Sequence, residues 1–303
     1  MRFGTSLTEP SSPQALSLLR DQLLQAADDG FASAWMANIF GLDALTALAV
    51  AGSGIPGLEV GTAVVPTYPR HPAVLAQQAL TASLAVAGRL ALGIGLSHKI
   101  VIEDMYGYSF DGPATHMSEY LSILLPLLDG QPLAFEGKTM RASIGLTVPR
   151  VGEVPVLLAA LGPQMLRLAG RRTAGTILWM TGPATVRDYI TPTINAAAQE
   201  AGRPAPRVVC VLPVCVTDDQ DNARARAAKV FEIYGQLPSY RAMLDREGAS
   251  GPADVAIVGD EETVASQIAQ LADYGVTDFV AGEFGKGDER QRTRALLKTL
   301  IAN

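Results

Sequence analysis

The sequence is short of the residue types that hold metals and cross-links. Two cysteines and three histidines occur in 303 residues, and His71, His98, His116, Cys210 and Cys215 fall at no zinc-ligand spacing. Cys210 and Cys215 lie in what reads as one strand, with Cα atoms about 16 Å apart, too far for a disulfide. Positive charge is also sparse. The 24 basic and 30 acidic side chains leave a net charge of −6, and no basic cluster exceeds Arg171-Arg172, which argues against nucleic acid or anionic lipid as a partner. No apolar run approaches the roughly 18 residues of a membrane span. Residues Met1 to Pro13 lack the basic-then-apolar pattern of a secretory signal. The expectation is a cytoplasmic protein acting on a small molecule. The first strand is followed by Thr8-Glu9-Pro10 instead of a glycine fingerprint, which weakens the case for an open dinucleotide-binding sheet.

What is present is apolar and periodic. Hydrophobic residues make up 48% of the chain, enough for a substantial core. The stretch Leu58 to His98 sets the pattern: a strand to Val65, a turn over Pro66–Pro72 whose prolines cannot sit inside a sheet, a helix to Ala87, and a strand from Leu90 to Gly95. In that helix Leu75, Ala76, Ala79, Leu80, Ser83 and Leu84 recur at three and four. A right-handed crossover makes the two strands parallel.

The same alternation continues on both sides. Further strands are expected at Arg2–Leu7, Phe31–Ala37, Val154–Ala160, Thr176–Met180, Arg207–Thr217 and Thr277–Ala281. Helices are expected from the Ser12-Pro13 cap with Leu16, Leu19, Leu23 and Ala27 on one face, at 42–51, 115–128 and 164–173, at 185–202 with a kink at Pro192, and at 222–234, 261–274 and 289–301. Eight strand–helix units give a (β/α)8 TIM barrel with insertions near 99–114, 130–153 and 235–259, read as a single domain over 1–303. The insertion after strand four, with Tyr106, Tyr108 and Phe110, is too long for a mere connection; a small hairpin is expected before Gly152.

In a barrel of this kind the chemistry gathers at the carboxyl ends of the strands. There the sequence places Asn38, then Val64 to Tyr68, then Leu96, Ser97 and His98, then Ala159 to Pro163, and Thr181 to Pro183. Gly162-Pro163 and Gly182-Pro183 read either as ordinary helix-initiating turns or as N–H-rich anion cradles. Gly93 and Gly95 fit close packing as well as ligand approach. His98 is either a surface histidine or a functional one; His71 is placed to cap the following helix, and Trp35 and Trp179 read as core.

Taken in order, Gly61-Thr62-Ala63-Val64, Arg70-His71-Pro72, Gly88-Arg89, Leu92-Gly93-Ile94-Gly95, Ala159-Ala160-Leu161-Gly162-Pro163 and Thr181-Gly182 resemble the luciferase-like monooxygenase superfamily over nearly the whole chain. The stretches RHPAVLAQQALT, AALGPQMLRLAG and LPSYRAMLDREG are similar to its actinobacterial branch that uses the deazaflavin coenzyme F420 in place of FMN. The resemblance implies a (β/α)8 barrel, commonly a homodimer. It also implies a non-prolyl cis peptide at Ala63-Val64 behind the cofactor ring, phosphate contacts from Ala159, Ala160, Leu161, Gly162, Thr181 and Gly182, and Asn38, Leu96 and Ser97 beside the ring. Sugar phosphate dehydrogenases of the branch end strand two in Asp-His and follow strand four with Glu, where this chain has Asn38-Ile39 and His98. An acidic proton donor is therefore absent, and the role falls to His98 or to no residue. The implied activity is hydride transfer between coenzyme F420 and a small organic substrate; an FMN-dependent monooxygenase and a non-catalytic cofactor-binding barrel are the alternatives.

Overall fold

A computed structural model describes residues 1–302. The chain forms strands β1 (Arg2–Ser6), β2 (Ser33–Met36), β3 (Glu59–Thr62), β4 (Val65–Pro66), β5 (Leu90–Gly95), β6 (Leu133–Glu136), β7 (Arg141–Ile144), β8 (Val156–Leu158), β9 (Gly175–Trp179), β10 (Arg207–Val216), β11 (Ile257–Gly259) and β12 (Asp278–Glu283). Parallel pairing runs β1-β2-β3-β5-β8-β9-β10-β12 and returns from β12 to β1, closing an eight-stranded barrel. Strand β4 continues β3 along β5, and β11 adds to the free end of β10. The expected hairpin is β6–β7.

Interior volume is shared unequally between strands. Trp35, Leu157, Ile177, Val209, Val211 and Val280 fill the barrel with Ala63, Val64, Ala159 and Trp179 packed on them. Opposite the large side chains stand glycines: a Cβ on Gly61 would overlap the Trp35 ring, and one on Gly93 would overlap the Thr62 carbonyl. The remaining core lies between strands and surrounding helices. At the amino-terminal end Arg207 bridges Glu59 at 2.8 Å and the buried Asp278 at 2.7 Å, with Arg2 3.2 Å from Asp278. This lattice closes the barrel floor.

Several local expectations are corrected. The first helix starts at Ala15, Ser12 provides no side-chain cap, and its buried face is Ala15, Leu19, Leu23 and Ala26, with Leu16 40% exposed. Pro13 and Gln14 form a turn, so the helix begins two residues later than a Ser12 cap would place it. Pro66 is in the sheet after all, paired with Gly95 where the strand ends. The kink expected at Pro192 is a π-helical segment, Val186–Ile190, with the proline in the first turn of the helix that follows, where no N–H is missed. The helix expected over 222–234 is broken at Phe231. His71 caps the helix Pro72–Ala85, its Nδ1 accepting from Ala73 N–H at 3.3 Å. Among the described residues no helix is long and apolar enough to cross a membrane.

Candidate active site

The carboxyl end of the barrel is built from three kinds of surface: an apolar floor, an uncapped turn, and an aromatic wall. The floor begins where β3 ends. The Ala63-Val64 peptide is cis, Ala63 N–H donates to the Met36 carbonyl at 2.7 Å, and Thr67 N–H donates to Gly95 at 2.9 Å. Between those bonds the chain bulges inward. Val64 fits there because β5 carries glycine: a Cβ on Gly95 would stand 2.7 Å from a Val64 methyl and 3.1 Å from the Ala159 Cβ. Ala63, Val64 and Ala159 thus meet in one cluster.

Strand β5 then delivers Leu96, Ser97 and His98, all half-buried. Ser97 has φ +62°, a left-handed conformation that non-glycine residues adopt at a cost. It turns the chain so that the His98 carbonyl accepts from Val101 and Ile102 N–H at 2.9 and 3.0 Å and starts a π-helical turn, Val101–Met105. Burial lowers the His98 pKa from its ordinary value, so the imidazole is neutral at pH 7. The segment beyond is pinned by a ring stack: Phe110 lies on Tyr68, and Tyr68 lies parallel to His116 with centroids 3.9 Å apart. Asn38, after β2, accepts Ala44 N–H at 2.9 Å. Beside it a cavity of about 350 Å3 is lined by Ile39, Phe40, Pro66, Tyr106 and the Arg70–Asp43 ion pair.

The two Gly-Pro turns prove unlike. At the first, Ala160 is buried while Leu161 and Gly162 are half-open. The helix Pro163–Arg172 has no side-chain cap, and a Cβ on Gly162 would meet no atom within 4 Å. Among the described residues nothing accepts from the N–H groups of Leu161, Gly162 or Gln164. At the second, Thr181 and Gly182 are buried. The Glu247 carboxylate takes the N–H groups of Ala184 at 3.0 Å and Thr185 at 2.6 Å, and a Cβ on Gly182 would overlap that carboxyl. A ribityl phosphate fits the first turn, where donors are free and space is open. The second already holds an anion from the chain itself.

Sequence reasoning missed the wall and the clasp. Trp179, expected as core, is only partly buried and meets Phe231 and Tyr234 edge-on at 5.7 Å each. Tyr234 meets Tyr240 at 5.2 Å, and Tyr240 meets His98 at 5.7 Å. One signal for Glu247 existed: a carboxylate at the last position of a helix opposes the helix dipole unless something outside the helix holds it. Among the described residues no cluster of His, Cys, Asp and Glu could hold a metal ion.

Residues 1–278 match the luciferase-like monooxygenase family. The 5,10-methylenetetrahydromethanopterin reductase of Methanopyrus kandleri is 26% identical over 92% of this chain and 92% of its own. A Mycobacterium tuberculosis protein provisionally named a coenzyme F420-dependent oxidoreductase is 28% identical over 86% of this chain and 89% of its own. The solved coenzyme F420-dependent tetrahydromethanopterin reductase of Methanopyrus kandleri superposes with a TM-score of 0.82 at 23% identity, covering 98% of this chain and 97% of that one. With its closed parallel barrel and a match over nearly all of its length, the chain belongs to the luciferase-like monooxygenase family.

Proposed function

We propose that this protein is an oxidoreductase that moves a hydride between the deazaflavin coenzyme F420 and a small, as yet unidentified organic substrate. One observation carries the site assignment: the uncapped Leu161–Gly162 turn lies on the same barrel rim as the Val64 floor and His98. In this reading Leu161, Gly162 and Gln164 N–H groups hold the phosphate with the backbone of Ala159 and Ala160 behind them. Thr181 and Gly182 shape the neighbouring wall. Ala63 and Val64 support the ring, Asn38, Leu96 and Ser97 lie along its edge, and the cavity beside Asn38 admits substrate. The coenzyme supplies the hydride when bound. The chain supplies a close, in-line arrangement, exclusion of water by the segment 99–113 acting as a lid, and a neutral His98 able to accept or return a proton. The Mycobacterium tuberculosis relative named for F420 supports this choice of cofactor.

Fluorescence titration with purified coenzyme F420 tests the proposal. Saturable binding at micromolar concentration is expected, together with reduction or oxidation of the bound coenzyme by a substrate panel. Absence of F420 binding, with FMN binding in its place and oxygen consumption on reduction, would replace this reading by a flavin monooxygenase.

We infer a homodimer through the helices Ala44–Ala51 and Pro72–Ala85, which carry no charged residue and expose Val50 and Val74 by more than half. Light scattering of the purified chain, which should give twice the 31.9 kDa monomer mass, is the check.

A further inference from the structure

We propose that Tyr240 is the residue that positions the His98 imidazole, and that Glu247 acts through it by fastening the helix Pro238–Glu247 to the barrel rim. The inference rests on the role given to His98 above and extends the site to a segment that no motif marked. Three observations lead to it. First, the His98 ring has no hydrogen-bond partner among the described residues; only its backbone carbonyl is bonded. An imidazole whose second nitrogen is bonded has its tautomer and direction fixed by that bond. Lacking one, His98 is oriented by packing, and its one ring contact is Tyr240, with centroids 5.7 Å apart and planes at 48°.

Second, Tyr240 is held from behind. Edge-to-face contacts pass from Tyr240 to Tyr234, from Tyr234 to Trp179 at the end of β9, and through Phe231 to Phe284 just beyond β12. Such contacts fix relative ring angle as well as distance. Third, the helix bearing Tyr240 is tied down at its far end. Glu247 accepts from Ala184 and Thr185 N–H, Thr185 Oγ1 reaches the Met243 carbonyl at 3.4 Å, and Gly182 supplies the room for the carboxylate. Apart from that clasp and Tyr240, the helix is held by the buried Leu244 and Met243 and by Arg246 over the Tyr189 ring, 4.0 Å from its centroid. The path is therefore Glu247 to helix to Tyr240 to His98. It leaves both imidazole nitrogens free for a substrate atom, and it requires the Tyr240 ring but not its hydroxyl.

The test is made on the cofactor-free protein, so that it stands or falls apart from F420 binding. Three-bond couplings of labelled protein report the His98 side-chain rotamer, and long-range 1H–15N correlation spectra report its titration. In the wild type a single side-chain rotamer, titrating below the ordinary histidine value of about 6.5, is expected. Tyr240→Phe should leave both readouts unchanged; Tyr240→Leu and Glu247→Ala should each mix the rotamers and move the titration up toward the ordinary value, in proteins whose melting temperatures show them folded. In turnover, once a substrate is in hand, Tyr240→Leu should lower kcat about tenfold or more and leave the F420 Kd as in the wild type. An unmoved His98 in Tyr240→Leu, or equal damage from Tyr240→Phe, overturns the assignment of Tyr240; an unmoved His98 in Glu247→Ala overturns the clasp. A wild type that shows this His98 behaviour yet binds no F420 would refute the cofactor reading and leave the positioning intact.

Discussion

Replacing Gly162 with valine separates binding from folding more cleanly than any other change at the rim. The backbone there has φ −83° and ψ 158°, a region valine adopts freely, and its Cβ would enter empty space. The expected change in stability is within about 0.5 kcal/mol. The isopropyl group then stands over the N–H groups of Leu161, Gly162 and Gln164. A hydrogen bond to a charged acceptor contributes about 1.5–3 kcal/mol, so loss of a single phosphate contact weakens binding about ten- to a hundredfold. The assay is fluorescence titration with F420, beside the same titration with the deazaflavin chromophore lacking its phosphate, whose affinity should not change. Gly182→Ala is the contrasting variant: its Cβ would overlap the Glu247 carboxyl, so the expected effect is a lower melting temperature. An unchanged F420 affinity in folded Gly162→Val would refute the placement of the phosphate.

Other expectations concern parts distant from the cofactor. Arg207→Ala strips the buried Asp278 of its 2.7 Å partner and leaves Arg2 as partial compensation; a loss of about 3 kcal/mol in chemical denaturation is expected, with F420 affinity unaltered because this lattice is at the opposite barrel end. His116 is buried, and its pKa is lowered to about 4 against the pull of Glu119 upward. The unfolded chain therefore takes up the proton first as pH falls, so His116 contributes stability above pH 6.5 that is lost on descending toward 4, about 2 kcal/mol between pH 7 and 5. His116→Phe should flatten that part of the urea-denaturation profile. Burial alone would raise the Glu119 carboxyl, but the Thr139 hydroxyl and the N–H groups of Lys138, Thr139 and Met140 bring it down to about 2. The hairpin attachment should persist above about pH 4.5 and fail as pH falls toward 2, read as amide exchange at residues 138–140. In Glu119→Gln exchange there should already be faster at neutral pH.

The barrel was legible because each unit repeats one simple contrast. Short β-branched or leucine-rich runs such as Val156–Leu158 stand beside helices with apolar residues at three and four, and Gly or Pro separates them. Even the positions of Val64, His98 and Gly162 at the barrel rim follow from counting strand ends. What local pattern cannot carry is a partner far along the chain. Glu247 meets Ala184 across 63 residues, and Glu119 meets Lys138 across 19; neither pairing leaves a period or a motif. The segment 235–259 was opaque for the same reason. Its helix Pro238–Glu247 buries only two side chains and is set by contacts with Tyr234, His98 and the turn at Gly182, so its own sequence does not declare its place. The difference between the two Gly-Pro turns likewise lies wholly in what each receives from outside.

That division has a consequence for how this barrel can vary. The floor of the site is backbone and small side chains: Gly61, Gly93 and Gly95 exist to admit Trp35, the Thr62 carbonyl and Val64, and larger residues there displace the strands themselves. The donors of the proposed cradle are likewise main-chain N–H groups, so side chains matter there only where, as at position 162, they would cover those donors. On the proposed placement, selectivity for substrate is left to the pieces that stand on the rim without forming it: Ile39 to Asp43, the stretch after Ser97, and the aromatic helix that ends at Glu247. Changes in those segments can reshape what is reduced or oxidised without loosening the cofactor, whereas a change at Gly93 removes the fold, and the chemistry goes with it.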